Sequence, residues 1–262
     1  PWTRGAFLNA AGRPLDSAPQ DWGLSVLFRD LTGDGRPDLY VCNDFHSEDR
    51  FWINETSPAG PLRFRAASSL ALRHTSAFSM GVDAADIDRD GVDDFLVLDM
   101  LSREHQRRNV QMDGVPPGFY QPGVWDDRPQ FSHNTVFLGR GDGTFAEIGR
   151  HAGLSASEWS WTPVFLDVDL DGYEDLLISN GHEMDMLDVD VAARAEARKS
   201  GRRLGHREML DMRRMFARLD TPNAAFRNRG DLTFEEVTQA WGFDAPGVEQ
   251  GMAAADLLVG DL

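Results

Sequence analysis

Short apolar runs recur along the chain and come in pairs. The runs at 26–28 and 39–41 form one pair, and those at 164–166 and 176–178 form another. β-Branched and aromatic residues in these runs favour strands, and two such runs around a turn predict a β-hairpin. The pattern therefore predicts an all-β chain.

The stretch that separates the runs of each pair is acidic and has a fixed spacing. In residues 167–175, aspartates stand at positions 1, 3, 5 and 9, and glycine stands at position 6. Residues 86–94 repeat this pattern in full, and residues 30–38 repeat it with Thr32 at position 3. Alternating aspartates can direct several oxygens at a hard cation such as Ca²⁺, and the glycine permits a sharp turn. The spacing therefore predicts three calcium sites at hairpin tips, with the residue at position 7 adding its backbone carbonyl.

The predicted metal ligands follow from these positions. In chain order they are Asp30, Thr32, Asp34, Arg36, Asp38, Asp86, Asp88, Asp90, Val92, Asp94, Asp167, Asp169, Asp171, Tyr173 and Asp175. A helix-loop-helix calcium site is excluded, because position 12 is Val41, Val97 or Ile178 instead of a glutamate. The alternative interpretation is an acidic turn that holds no ion, since Asp and Gly are ordinary turn residues.

A unit larger than the loop repeats along the chain. Each acidic loop and its second strand are followed by a third strand that ends in Asn or Gly and by a fourth short strand. Four strands per unit, with the acidic loop between the first two, are typical of a propeller blade. Residues 1–262 are therefore predicted to form one β-propeller region of four-stranded antiparallel blades. Three blades are complete, residues 7–9 belong to a partial first blade, and Asp256 begins a partial last blade without a metal, so the ring is incomplete.

Two insertions lengthen the repeat between the second and third strands of a blade. Residues 102–132 form a loop rich in Pro and Gly, and residues 181–222 form a helical segment. In the second insertion, Met209, Met212, Met215, Phe216 and Leu219 fall at helical spacing. This spacing predicts an amphipathic helix on the propeller rim. The alternatives are a helix that docks a partner and a helix that docks on the chain's own acidic face.

Composition limits the classes of function. The chain has 262 residues, 41% of them apolar, which is enough for a sizeable core. Its net charge of −17 argues against nucleic-acid binding, which requires basic surfaces. No apolar run approaches the roughly 20 residues of a membrane helix. The single cysteine, Cys42, lies within a predicted strand and cannot form an intrachain disulfide.

The acidic loops, together with the motifs at 79–81, 141–145 and 180–182, resemble those of FG-GAP/VCBS repeat proteins. The most similar group is that of bacterial proteins related to cartilage acidic protein, which are associated with an ASPIC/UnbV domain. The resemblance implies an integrin-α-like β-propeller that is exported from the cytoplasm and is secreted, periplasmic or at the cell surface. It also implies Ca²⁺ in the loops between the first two strands of a blade.

These observations favour a non-enzymatic domain for protein interaction, adhesion or assembly. Its partner is a separate protein or the remaining part of the same polypeptide. Familiar nucleophile, zinc-binding and phosphate-binding motifs are missing from the sequence. The nearest arrangement to a catalytic cluster is His182 with Glu183 and Asp185, which a turn explains equally well.

Two other functions remain open at this point. A carbohydrate-binding propeller would use aromatic faces for sugar stacking, and the candidates are Trp52, Trp125, Trp159 and Trp161. An accessory domain of a larger secreted enzyme would require a concave pocket with perturbed titratable groups away from the acidic loops.

Overall fold

The computed structural model describes residues 5–45, 47–112, 128–199, 201 and 203–254. The strands are β1 (Phe7–Leu8), β2 (Gly23–Arg29), β3 (Asp38–Asn43), β4 (Arg50–Asn54), β5 (Phe64–Ala66), β6 (Thr75–Ser76), β7 (Gly81–Ala85), β8 (Asp94–Leu98), β9 (Gln130–Phe131), β10 (Thr135–Gly139), β11 (Phe145–Glu147), β12 (Ser160–Leu166), β13 (Asp175–Asn180), β14 (Ala224–Asn228) and β15 (Phe234–Glu236). The helices are α1 (His105–Arg108), α2 (Gly149–Ala152), α3 (Val189–Lys199) and α4 (His206–Arg213). The chain was predicted to be all-β, and it is mostly β, with four helices among the described residues.

Three antiparallel sheets account for most of the strands. The first contains β2, β3, β4 and β5, the second β7, β8, β10 and β11, and the third β12, β13, β14 and β15. Successive strands of each sheet are neighbours, so each sheet is a meander. The acidic loops connect the first and second strands of the three sheets. Within the described residues, none of the sheets closes on itself.

The first strand of the chain, β1, pairs with a different sheet from the one predicted. Residues 7–9 were expected to belong to a separate partial blade, but β1 pairs in parallel with β5 at the outer edge of the first sheet. The pairing is extended by the amide of Phe64, which donates to the carbonyl of Ala6 at 2.7 Å. The free edge of β5 satisfies the backbone groups of this short strand.

Neighbouring sheets contact one another through their first strands. β2 contacts β7, and β7 contacts β12. Gly81 at the start of β7 permits this approach, because a Cβ atom there would lie 2.1 Å from the carbonyl oxygen of Trp161. Farther along the same pair, the side chain of Asp83 accepts a hydrogen bond of 2.8 Å from the amide of Phe165.

The second sheet is buried on both faces because its residues alternate between two cores. Phe95 and Val97 of β8 belong to the core shared with the first sheet, whereas Leu96 and Leu98 belong to the core shared with the third. All four side chains are fully buried. Alternation along a strand sends successive side chains to opposite faces, and each buried side chain of this size contributes about 1.5–3 kcal/mol.

The two insertions begin where the second strands β8 and β13 end, which is the end of the sheets opposite the acidic loops. Residues 113–127 of the first insertion lie outside the described residues. The two insertions also contact each other at this end. The amide of Met112 donates to the carbonyl of Leu187 at 2.7 Å, and the amide of Val189 donates to the carbonyl of Val110 at 2.9 Å. Arg107 adds ion pairs with Glu158 and Asp185.

The helical insertion contains two helices, α3 and α4, and α4 ends earlier than the spacing of apolar residues predicts. Met215 and Phe216 lie beyond its last residue, and their amides donate to carbonyls three residues back. These tight turns lead the chain toward Pro222, which precedes β14. Residues 251–254 contain no strand, while the rest of the predicted last unit, from Ala255 onward and including Asp256, lies outside the described residues.

Candidate metal centre

Each acidic loop forms the tip of the first hairpin of its sheet. The aspartate at position 9 is the first residue of the second strand, and this holds for Asp38, Asp94 and Asp175. All three side chains are buried. The other aspartates precede the strand and are at least partly accessible. The loops therefore combine a fixed buried carboxylate with carboxylates that solvent or an ion can reach.

The loop at 86–94 brings three carboxylates together. One oxygen each from Asp86, Asp88 and Asp94 lies within 4.8 Å of the other two. The carboxylate of Asp86 accepts hydrogen bonds from the amides of Asp90 at 3.0 Å and Gly91 at 2.8 Å. Gly91 has a φ of +88°, which favours glycine at the turn.

The loop at 167–175 repeats this geometry. Oxygens of Asp167, Asp169 and Asp175 lie within 4.8 Å of one another. The carboxylate of Asp167 accepts hydrogen bonds from the amides of Asp171 at 3.0 Å and Gly172 at 2.9 Å. Such all-oxygen groups are the ligands that hard divalent cations prefer, so both loops fit a cation of this class.

The aspartates at position 5 lie outside both groups. Asp90 instead accepts a hydrogen bond from the amide of Val92 at 2.8 Å, and Asp171 accepts one from the amide of Tyr173 at 3.0 Å. In the third sheet a positively charged arginine side chain also contacts the loop. Arg227 of β14 lies 2.7 Å from the carboxylate of Asp169 and 3.3 Å from that of Asp171.

The loop at 30–38 is arranged differently, and its aspartates are not among the groups that the structure brings together. Arg36 forms an ion pair with Asp34. The hydroxyl of Thr32 donates to the carboxylate of Asp38 at 3.0 Å. The carboxylate of Asp30 accepts three backbone amides, including that of Gly35 at 2.6 Å. Much of the negative charge in this loop is therefore satisfied by the protein.

The aspartate at position 9 has a second role that sequence reasoning missed. The two carboxylate oxygens of Asp94 accept the amides of Ile87 at 2.9 Å and Gly139 at 2.7 Å. Gly139 ends the third strand, so this aspartate connects its own loop to that strand. Asp38 and Asp175 make the same bond, to the amides of Asn54 and Asn228. The recurring Asn or Gly at the end of the third strand was the available signal.

Burial controls the electrostatics of these carboxylates. Burial raises the pKa of Asp94 to about 7, and the backbone bonds only partly oppose it while Asp86 and Asp88 add to it. Burial likewise raises the pKa of Asp88 and of Asp175. A bound cation would favour the charged forms and so remove the mutual repulsion.

A second set of polar residues lies at the opposite ends of the same strands. In each sheet, a backbone amide at the end of the second strand donates to the side chain of the residue that directly precedes the third strand. The donor is the last residue of the second strand or the residue after it. The pairs are Asn43 with Asp49 at 2.7 Å, Asp99 with Asn134 at 2.7 Å and Asn180 with Asn223 at 2.8 Å. Burial raises the pKa of Asp49 to about 7 and that of Asp99 to about 6. These bonds fix the start of each third strand.

The residues of the candidate catalytic cluster contact different partners. The ring of His182 stacks on Trp159 with the centroids 4.1 Å apart. Asp185 forms an ion pair with Arg107, and Glu183 forms one with Arg213. The three side chains thus each have a different partner, and the Arg107–Asp185 pair is largely buried whereas the Arg213–Glu183 pair is exposed.

The candidate sugar-stacking tryptophans are mostly covered. Trp52 and Trp159 are buried, and the indole of Trp161 donates to the carbonyl of Gly181 at 2.8 Å. Trp125 lies outside the described residues.

Comparison with known families supports the repeat pattern. Residues 30–97 and 124–178 match the FG-GAP-like repeat. The chain contains FG-GAP-like repeats. The matched segments include all three acidic loops. Domains built from FG-GAP repeats are generally not enzymatic and are typical of extracellular proteins. No curated protein matches the chain. Among the described residues, no helix has the length and apolar character needed to cross a membrane.

Proposed function

We propose that this chain is a calcium-binding β-propeller module that serves protein interaction, adhesion or assembly outside the cytoplasm. The observation that carries the proposal is the pair of three-aspartate groups at 86–94 and 167–175. Both groups lie at hairpin tips of FG-GAP-like repeats. The likeness to integrin-α-like propellers extends this inference, and the association with an ASPIC/UnbV domain remains a prediction from the sequence.

Calcium is the cation that suits these loops best. The candidate ligands are carboxylate oxygens on turns, and Ca²⁺ accepts roughly six to eight oxygens in variable geometry. Mg²⁺ requires a stricter octahedron, and zinc prefers nitrogen and sulfur ligands. Backbone carbonyls at position 7 and water would complete the coordination.

The propeller is supported by the way in which the sheets repeat. Three four-stranded meanders contact each other through their first strands, and the middle sheet is buried on both faces. In a propeller, every blade has a neighbour on each face. The first sheet therefore needs a neighbour on the face that points away from the second sheet.

That face of the first sheet is the interaction surface that we propose. Leu24, Val26 and Phe28 alternate along β2 and are 51%, 63% and 57% exposed. A contiguous apolar patch of this kind normally marks an interface. Its occupant is a further blade from the rest of the polypeptide or a partner protein.

Calcium titration by calorimetry tests the first part of the proposal. We expect saturable binding that loses one site in Asp88→Ala, because Asp88 has few structural contacts besides a hydrogen bond to the amide of Asp90. Asp244→Ala is the control, since Asp244 is exposed and lies outside the acidic loops. Equal stoichiometry in all three proteins would contradict the assignment.

Sedimentation velocity tests the interaction surface. Val26→Glu should reduce self-association or binding of the partner, because it places a charge in the centre of the apolar stripe. Leu70→Glu is the matched control, since Leu70 is 69% exposed and belongs to none of the three sheets. If both variants behave like the original protein, the stripe is not an interface.

A further inference from the structure

A cavity of about 800 Å³ lies in the helical insertion, at the end of the sheets away from the acidic loops. Apolar side chains from α3, α4 and the adjoining turns line it. They are Met186, Ala195, Leu204, Met209, Met212 and Phe216. This volume is within the range of small-molecule sites, which is roughly 300–1,000 Å³.

The apolar face of α4 is only partly covered within the described residues, where Met212 packs on the cluster of Val191, Ala195 and Phe216. The helix has eight residues, none of them buried, and Met209 is 52% exposed. An isolated helix of this length is not stable in water and depends on packing of its apolar face. Methionine side chains adapt to irregular apolar partners, which suits a site that accepts a flexible chain.

Cationic side chains also line this cavity. Lys199, Arg203 and Arg213 are among its lining residues, and Glu196 is the acidic one. Lys199 pairs with Glu196 at 3.2 Å, and Arg213 pairs with Glu183 at 2.8 Å. These exposed pairs are weak, so an incoming carboxylate can take the place of their acidic partners.

The charge of the insertion differs from that of the chain. Residues 181–222 include nine Lys or Arg and eight Asp or Glu, whereas the whole chain carries a net charge of −17. An anion is therefore repelled less by this segment than by the rest of the acidic chain.

We propose that the cavity binds a small amphipathic anion, namely an alkyl carboxylate whose chain lies on the methionines and whose head group meets Arg203 and Lys199. The volume of the cavity favours this ligand over a helical partner. The site is independent of the acidic loops, because the insertion and the loops leave opposite ends of the sheets.

Methyl NMR of protein labelled with [methyl-¹³C]methionine tests the proposal. Decanoate is added below its micellar concentration, in EGTA so that no calcium carboxylate precipitates. We expect saturable shifts of the Met186, Met209 and Met212 methyl signals. Met80 and Met100 are internal controls, because they are buried in a different cluster, and their signals should stay in place.

Charge selectivity provides the second readout. Decyltrimethylammonium, which has the same chain and the opposite charge, should bind more weakly. Arg203→Glu should raise the Kd for decanoate by about fivefold or more, in line with the loss of an exposed charge contact and its reversal. Arg218→Glu should leave the Kd unchanged, since Arg218 pairs with Asp220 and does not line the cavity.

Three results would overturn the proposal. One is the lack of saturable shifts at the methionines that line the cavity. Another is equal affinity for the cationic and anionic probes. The third is a shift of the same methyl signals when the protein concentration is raised or an acidic helical peptide is added, if decanoate does not reverse that shift. Such a result would assign the cavity to a second copy of the chain or to a protein partner.

Discussion

Arg227 offers the sharpest test of how the protein itself competes with a metal ion. Its guanidinium lies 2.7 Å from the carboxylate of Asp169 and 3.3 Å from that of Asp171, both in the loop at 167–175. In the loop at 86–94, Arg29 pairs with Asp93 at 2.5 Å, but Asp93 is not a predicted ligand, and none of the ion pairs among the described residues reaches Asp86, Asp88 or Asp94. A cation in the third loop must therefore share Asp169 with an arginine. We predict that Arg227→Gln tightens calcium binding at that loop.

The magnitude follows from the exposure of the pair. Arg227 is about half exposed, so solvent screens the interaction and its contribution is about 0.2–1 kcal/mol. Releasing that amount for metal binding corresponds to a decrease in Kd of about 1.4- to 5-fold. A larger gain would mean that the guanidinium also blocks access of the ion.

Calorimetry in an Asp88→Ala background measures this effect, because that change is expected to remove the stronger competing site. Arg229→Gln is the matched control, since Arg229 pairs with Glu235 and does not contact the loop. The competition argument fails if Arg227→Gln binds calcium with the same or lower affinity than the background, or if the control changes by the same factor.

Other consequences of the structure can be measured directly. Calcium at about 100 times Kd should raise the free energy of unfolding by about 2.7 kcal/mol per site relative to EGTA. Asp34→Ala should retain most of that gain, and Asp88→Ala should not. Melting temperatures that are equal with calcium and with EGTA, or equal gains in the two variants, would contradict these statements. Replacing residues 181–222 by a short Gly/Ser linker should preserve calcium binding measured by calorimetry, because the insertion lies opposite the acidic loops. Burial raises the pKa of Asp49 to about 7 from an ordinary value of about 4, so the folded state binds more protons between these values and stability falls as pH rises through that window. Asp49→Asn should flatten this fall in urea unfolding between pH 4.5 and 7.5, and an unchanged slope would show that Asp49 does not cause it.

The parts of the site that sequence predicts are those encoded within a few residues. The spacing of aspartates and glycine in 86–94 predicts the hairpin, its turn and the grouping of Asp86 with Asp88. These features depend on hydrogen bonds between residues two to five positions apart. Local patterns of this kind can be read without knowing how the sheets pack.

The parts that sequence did not predict depend on distant contacts. Arg227 reaches Asp171 across 56 positions of the chain, and no local pattern links the two residues. The parallel pairing of β1 depends in the same way on the free edge of β5. The buried state of Trp52 also escaped prediction, because Phe7 covers its ring from the first strand with the centroids 5.1 Å apart.

The second strand of each sheet connects the acidic loop, which the sequence predicts, to the third strand, which lies far away in the sequence. At one end its aspartate joins the acidic loop to the third strand, and at the other end an Asn or Asp holds the start of that third strand. A charge change in the loop therefore acts on strand pairing as well as on the metal. Asp94 illustrates the consequence, because replacing it removes a candidate metal ligand and also two backbone hydrogen bonds. Loss of calcium binding in Asp94→Ala alone would thus not identify a ligand, whereas Asp88→Ala separates ligation from the fold.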